Sequence, residues 1–439
     1  MKIHLIAIGG SAMHNLALSL HHKGYIVTGS DDKIFEPSKT RLKKFNLLPK
    51  NTGWFPNKIT KELDCIILGM HAKEDNPELL KAQKLKIPIF SYPEYIYNQS
   101  KNKKRIVIGG SHGKTSITAM ILHVLHKSNI DCDYLIGAQL KGFSTMVRLT
   151  NAPVIILEGD EYLSSSIDRR PKFHLYKPHI AVLTGIAWDH INVFPTYNIY
   201  FDQFRIFKNM IQETLIYCAE EKELLKLIGE GVSCKSIAYK TPQHKILNGI
   251  TKIGNTNLKI FGKHNLQNLE AARLICNELG VKNKEFYINI ASFKGANKRL
   301  ELVKSNKNTA IYKDFAHSPS KLKATCLAMK KQFPKRKLIA CMELHTFSSL
   351  NKKFLKQYKG CMDDADIPVI YFNEKSIKHK NMEPIEKKEI YHAFNNQKLL
   401  IFSDSKKLTI YLKSIKETNY NLLMMSSGEF NGIKFDSLI

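Results

Sequence analysis

The sequence contains no apolar run approaching the ~20 residues that a helix needs to cross a bilayer. Its N-terminus begins like a short signal peptide, but the apolar stretch is brief and ends in Gly9-Gly10, so it reads as a first β-strand. Cysteine occurs at eight scattered positions and never with C-x-x-C spacing. That pattern suits reduced thiols in a cytoplasm and argues against a structural zinc site. Acidic residues are scarce: 39 stand against 67 basic ones, leaving a net charge of +28. Such a surplus first suggests nucleic acid. Lysine, however, outnumbers arginine several-fold and is spread along every segment, whereas readers of bases and phosphates favour arginine. No nucleic-acid or membrane partner is expected, and the positive field suits a polyanionic small substrate. The sequence also lacks internal repeats and low-complexity tails.

What is present has the composition of a soluble globular protein: 439 residues, 43% hydrophobic and 24% charged, enough for about three domains. Residues 3–8 form an apolar run typical of a buried parallel strand. Gly9-Gly10-Ser11 then turns into a helix whose apolar positions include Met13, Leu16, Ala17 and Leu20, with Gly24 at its end. A second strand follows from Tyr25 and finishes on Asp31. This βαβ start resembles a dinucleotide-binding unit, with Asp31 at about the distance of a ribose-binding acid, although Gly9-Gly10-x-x-Met13 is not G-x-G-x-x-G. Later strands are expected at 63–69 and 87–90, and the polar run 98–104 is a candidate linker.

The most informative stretch is Arg105-Ile-Val-Ile-Gly-Gly-Ser-His-Gly-Lys-Thr-Ser116. An apolar strand runs into a Gly-rich turn, and Gly113-Lys114-Thr115 opens a helix. Phosphate needs this arrangement: glycines let backbone N–H groups close on the oxygens, the helix N-terminus adds partial positive charge, and Lys114 reaches the outer phosphates. The Thr115 hydroxyl is placed to ligate Mg²⁺. Strands at 154–157 and 180–183 each leave polar residues at the C-terminal end, the edge where open α/β sheets collect ligands. Glu158-Gly-Asp-Glu161 follows the first and Trp188-Asp-His190 the second. If Glu158 and His190 meet beside the phosphate loop, a carboxylate and an imidazole form a divalent-ion site suited to phosphoryl transfer. Farther on, Phe261-Gly-Lys-His-Asn-Leu-Gln-Asn268 opens another helix, and the pattern breaks at 293–300. Strands and helices alternate again from Ala310, with Ser318 a candidate cap and Pro319 at a first helical position.

Six motifs in order carry a resemblance to the Mur ligases of peptidoglycan synthesis: Gly110 to Thr115, Glu158 to Glu161, Asp189-His190, Gly262 to Asn268, Arg299 to Glu301 and Asp314 to Pro319. The resemblance implies an α/β fold of three domains: a Rossmann-like N-terminal domain for a UDP-sugar (1–102), a P-loop ATP-binding central domain (103–296) and a Rossmann-like C-terminal closing domain (297–439). It implies an ATP-dependent, ADP-producing ligase in which a muramate carboxylate attacks the γ-phosphate and an amine then displaces phosphate to form an amide. By motif, Gly110, His112, Gly113 and Lys114 hold the phosphates, and Thr115, Glu158 and His190 hold magnesium, with Lys114 and His190 the catalytic pair. Asn268 faces the adenine, while Arg299, Asp314 and His317 reach ATP from the hinge and third domain. Gly9, Gly10, Ser11, Met13 and Asp31 lie near the uridine nucleotide.

Within that family the N-terminal unit is similar to the branch acting directly on UDP-N-acetylmuramate, whose members add L-alanine or a recovered tripeptide, L-Ala-γ-D-Glu-meso-diaminopimelate. Asp168-Arg-Arg-Pro-Lys-Phe173 and Leu300 resemble the peptide-adding type. The alanine-adding type carries two arginines in a third-domain stretch that here reads Glu343-Leu-His-Thr-Phe-Ser-Ser349, without either. Because arginine forks grip a free carboxylate best, a peptide donor is expected, with L-alanine the alternative. Arg205 stands where several relatives use a carbamylated lysine, Lys313 replaces the usual acid before Asp314, and Ala12 and His14 occupy places where small residues are common. An NAD-dependent oxidoreductase would use the βαβ start and Asp31 but leave Lys114, Glu158 and His190 without a task. A non-catalytic relative would account for the substituted 343–349 run.

Overall fold

Four parallel strands open the chain, β1 (Lys2–Ile6), β2 (Ile26–Ser30), β3 (Cys65–Leu68) and β4 (Ile89–Ser91), in the order β2-β1-β3-β4. Their apolar sequences follow from position: β1 lies between β2 and β3, and its residues from Ile3 to Ile6 are buried. These coordinates come from a computed structural model that describes residues 1–140, 142–188, 193–296, 299–415 and 419–439. Among the described residues all eight cysteines are free thiols, and no helix is long and apolar enough to cross a membrane.

A seven-stranded sheet follows: β5 (Lys104–Gly109), β6 (Asp133–Leu135), β7 (Val147–Arg148), β8 (Val154–Glu158), β9 (Ile180–Leu183), β10 (Thr214–Cys218) and β11 (Lys235–Tyr239). Its order is β11-β10-β9-β5-β8-β6-β7, parallel except for the β6–β7 pair. The strand that leads into the phosphate-loop motif is therefore central. β5 lies between β8 and β9, so the strands that lead to Glu158 and His190 in the sequence flank the loop rather than each other. The polar run read as a linker is tightly held: the buried guanidinium of Arg105 donates to the carbonyls of Ser100, Lys101, Lys103, Tyr176 and Lys177.

The first compact unit comprises residues 1–241 and 267–290, the second residues 242–266 and 291–439. The second unit contains an antiparallel meander, β12 (Lys245–Leu247), β13 (Ile250–Ile253) and β14 (Thr256–Leu258). The meander is fastened to the helix Pro319–Gln332, whose Gln332 accepts from the Thr251 hydroxyl and donates to the Gly249 carbonyl. Its six-stranded sheet consists of β15 (Glu301–Ser305), β16 (Thr309–Asp314), β17 (Lys337–Leu344), β18 (Ile367–Phe372), β19 (Leu400–Phe402) and β20 (Tyr420–Met425), ordered β15-β16-β20-β17-β18-β19. Only β15 runs antiparallel to its neighbour. Ser318 stands at the N-cap of Pro319–Gln332 with the proline in the first turn, yet its hydroxyl makes no capping bond and has no hydrogen-bond partner among the described residues. The helix start thus rests on proline geometry alone.

One polar contact lies inside the first sheet's packing. His4 of β1 sits with its Nε2 3.2 Å from Glu78 Oε2, both side chains fully buried, and its Nδ1 2.8 Å from the Thr28 hydroxyl. Glu78 also accepts from the Phe55 N–H at 2.6 Å. Burial pushes the Glu78 pKa up, but the bonds from His4 and Phe55 outweigh it and leave it below its usual 4.5. A carboxylate depressed on folding contributes stability above its unfolded pKa and loses it as pH falls. Glu78→Gln should therefore cost about 1–3 kcal/mol at neutral pH. Its stability, from urea unfolding, should also fall less steeply than wild type between about pH 5 and 3. Parallel curves would show that this carboxylate is not linked to folding.

Candidate active site

At the C-terminal end of β5 the backbone turns through Gly110 (φ +116°) and Gly113 (φ +83°), conformations that side chains rarely adopt. Space forbids a side chain as well. A Cβ on Gly110 would lie 2.2 Å from Thr184 Oγ1, and one on Gly113 would lie 2.3 Å from Asn268 Oδ1. The turn is pinned from β9's exit, where Ser111 donates its N–H to the Gly185 carbonyl and Thr184 donates its hydroxyl to the carbonyl of His112. Gly113 is the N-cap of the helix Lys114–Lys127, whose first N–H groups and dipole converge on the loop.

Lys114 does not stand free in solvent, as a loop lysine would. Its ammonium donates to the Gly110 carbonyl at 2.8 Å and to Glu161 Oε2 at 2.6 Å, with the Glu161 side chain 2% exposed. Burial alone would lower the Lys114 pKa, but Glu161, Asp160 and Glu158 outweigh it and raise it, so the group stays charged. Thr115 donates its hydroxyl to Glu158 Oε1 at 2.7 Å, and the Gly137 N–H donates to Glu158 Oε2 at 2.7 Å. Burial raises the Glu158 pKa, against the pull of the Gly137 and Thr115 donors and of Lys114. Asp160 pairs with Lys172 at 2.6 Å. The result is one buried ammonium and a hydroxyl–carboxylate oxygen pair at the mouth of a glycine turn. An arrangement of this kind suits a phosphate group and a hard divalent cation.

Gly110, Gly113, Lys114, Thr115, Glu158 and Asn268 are thus brought together, with His112 in the loop itself. His190, like Asp189, lies outside the described residues. Arg205, on the helix Tyr197–Asn209, turns to a bidentate pair with Glu230 (2.8 Å on both nitrogens) and to Asp202. Sequence reasoning gave no role to Glu161, although it closes the Glu-x-Asp-Glu run, nor to Thr184 or Gly137. Gly137 acts through its backbone N–H, which leaves no side-chain signal.

At the end of β1, Gly9 donates its N–H to Asp31 Oδ2 at 2.7 Å, so Asp31 braces the glycine turn. Met13 is buried against Gly10, and Ser11 opens the helix Ser11–His22. His14 fills the space where a smaller residue was anticipated, its Nδ1 2.9 Å from both the Gly10 carbonyl and the Ser38 hydroxyl. In the second unit, Asp314 accepts N–H groups from Leu300 and Ala316, each at 2.7 Å. The guanidinium of Arg299 lies 4.7 Å from the Phe315 ring centroid, and His317 Nδ1 is 2.7 Å from the Phe315 carbonyl. The 343–349 run leaves β17 with Glu343 buried, accepting from the Ser426 hydroxyl at 2.5 Å and the Phe430 N–H at 2.9 Å. His345 Nδ1 stands 4.0 Å from Glu343, and Thr346 and Ser349 close a hydroxyl-bonded turn. The run presents an imidazole and hydroxyls where two guanidinium groups were sought.

Comparison with known proteins gives the following likenesses. The profile described as Mur ligase family, catalytic domain, matches residues 2–104, and that of the Mur ligase middle domain matches residues 108–276. A UDP-N-acetylmuramate–L-alanine ligase of Clostridium botulinum is 31% identical over 387 residues, covering 83% of this chain and 81% of the relative. Among solved structures, a murein peptide ligase from Psychrobacter arcticus superimposes with TM-score 0.65 at 23% identity, over 100% of this chain and 98% of the other. A UDP-N-acetylmuramate-alanine ligase from Thermotoga maritima gives TM-score 0.71 at 20% identity, over 98% and 96%.

The Lys114–Glu161 pair gives Lys114 a structural role beside its place in the glycine turn. Lys114→Ala should abolish binding of a nucleoside triphosphate and also cost about 3–5 kcal/mol, because it takes the ammonium away from a buried carboxylate. Adding Glu161→Gln should recover much of the stability and none of the binding, as read by urea unfolding and calorimetric titration. Full binding by folded Lys114→Ala would remove the phosphate-loop reading.

Proposed function

Because this chain belongs to the Mur ligase family and is an ATP-dependent ligase that forms amide bonds, we propose that it joins the lactyl carboxylate of UDP-N-acetylmuramate to the amine of a peptide, L-Ala-γ-D-Glu-meso-diaminopimelate, in the cytoplasm. The observation that carries the reading is the glycine turn with a buried, charge-paired lysine beside the Thr115–Glu158 oxygen pair. In this reading residues 1–102 take the UDP-sugar, with Gly9, Gly10, Ser11, Met13 and Asp31 at the uridine nucleotide. Residues 103–296 take ATP, and residues 297–439 form the closing domain.

The substrate carboxylate oxygen bonds to the γ-phosphorus as the bond to the β-phosphate oxygen breaks, giving an acyl phosphate and ADP. The amine nitrogen then attacks the acyl carbon and loses a proton, and inorganic phosphate leaves. Lys114 holds the phosphates and offsets charge that grows on them, and the backbone N–H groups of the turn orient them. Thr115 and Glu158 fit magnesium, which takes few protein oxygens and leaves its other positions to water and phosphate. Bound there with His190 as a third ligand, magnesium would neutralise phosphate charge. Asn268, packed on Gly113, is assigned to the adenine side. The nucleotide roles of Arg299, Asp314 and His317 rest on their motif matches.

The choice of a peptide follows from the 343–349 run. A single amino acid offers its α-carboxylate as its main handle, and a bidentate arginine contact to a buried carboxylate is worth about 2–5 kcal/mol. A tripeptide can replace that contact along its length. L-Alanine is the second reading, favoured by the names of relatives that match over most of the chain. With saturating ATP and UDP-N-acetylmuramate, kcat/KM for the tripeptide should exceed that for L-alanine by about 30-fold or more, since each 1.4 kcal/mol is tenfold. Equal or better use of L-alanine would replace the peptide reading with the alanine one.

A further inference from the structure

The helix Tyr197–Asn209 places a phenol hydroxyl from its largely aromatic buried face inside the phosphate-loop region. Tyr200 is fully buried, its ring packed at 5.5 Å from Phe194 and 5.2 Å from Phe204 between centroids. Its hydroxyl lies 3.1 Å from Glu161 Oε1 and 3.1 Å from the Ser111 hydroxyl. A carboxylate can only accept, so the single Tyr200 proton goes to Glu161, and the one Ser111 proton is shared between the Tyr200 oxygen and the Ala187 carbonyl. Ser111 is itself 3.0 Å from the Ala187 carbonyl and accepts the Ala187 N–H at 2.7 Å. One phenol oxygen therefore joins three segments: the glycine turn, the exit of β8 through Glu161, and the exit of β9 through Ser111 and Ala187.

The two oxygens of Glu161 do different work. Oε2 holds the Lys114 ammonium at 2.6 Å, while Oε1 takes the Tyr200 hydroxyl. Without the second bond the carboxylate would lose one restraint on its orientation, and its less compensated charge would draw more strongly on Lys114. Both effects turn the ammonium away from a phosphate.

We infer that Tyr200 is a positioning residue for the ligase reaction: its hydroxyl, bridging Ser111 and Glu161, fixes the carboxylate that aims Lys114 at the nucleotide phosphates. The inference rests on the phosphate-loop reading and goes beyond the motif residues, because Tyr200 touches neither the phosphates nor Lys114 in this role.

A thermodynamic cycle tests it, read as binding of a non-hydrolysable ATP analogue with magnesium by calorimetry, which needs no knowledge of the amine donor. Tyr200→Phe removes one hydrogen bond to a charged group and should weaken analogue binding about tenfold. Its melting temperature should stay close to wild type, since the ring and its packing remain. In a Glu161→Gln background the same substitution should cost less than about twofold, because the carboxylate through which it acts is gone. Ser111→Ala should reproduce part of the loss and Ser111→Thr should not, which provides a second route if Glu161→Gln folds poorly. An equal loss in both backgrounds would make Tyr200 merely structural, and wild-type affinity in Tyr200→Phe would remove its role while leaving the phosphate loop intact. Failure of the wild-type protein to bind the analogue would overturn the phosphate-loop reading and this inference with it.

Discussion

A positive charge kept in a dry place sets the terms for the centre of the first unit. The Lys114 ammonium has little water around it, and an isolated charge there would cost several kcal/mol (roughly) were it not paired and hydrogen-bonded. Glu161 and the Gly110 carbonyl supply those partners, and their placement fixes the neighbours. Gly110 must take a left-handed φ to turn its carbonyl toward the ammonium, Thr184 fills the space beside it, and Glu158 is turned to Thr115 and Gly137. The sheet order serves the same end. With β5 central, three strand exits deliver the turn, the acids and the Thr184 segment to one edge.

Much of this was legible in the sequence, for physical reasons. Buried parallel strands must be apolar throughout, so β5, β8 and β9 announce themselves, and β9 has the same bounds as the run that suggested it. The glycine turn is legible because only glycine can take its backbone conformation. Edge strands are not legible in this way. β12 is exposed at every residue and β15 carries charge on an outer edge, so neither shows an apolar run or a clean alternation. The same limit hid Gly137, a backbone donor, and Tyr200, whose hydroxyl reaches the acid only because a helix far along the chain lies over it.

Lysine excess has a local counterpart in the way buried charges are handled. Lys103 is held by Asp133 and two carbonyls, Lys208 by two carbonyls, and Arg105 by five. Long cationic side chains here act as ties between loops, each donating to several backbone carbonyls. Part of the +28 charge is thus structural and interior rather than a field presented to partners.

The placing of β20 between β16 and β17 has a consequence for a chain made from its N-terminus onward. Until residues 420–425 leave the ribosome, the two strands that will flank them have no common neighbour, and each offers an unpaired edge of apolar backbone. During that interval more than a hundred residues of the second unit (roughly, from β15 on) are made but cannot close their sheet. Exposed edges of this kind are where nascent chains pair wrongly with one another. A fragment ending shortly before Tyr420 would therefore be aggregation-prone, whereas one that includes Met425 and has left the ribosome carries every strand of the sheet.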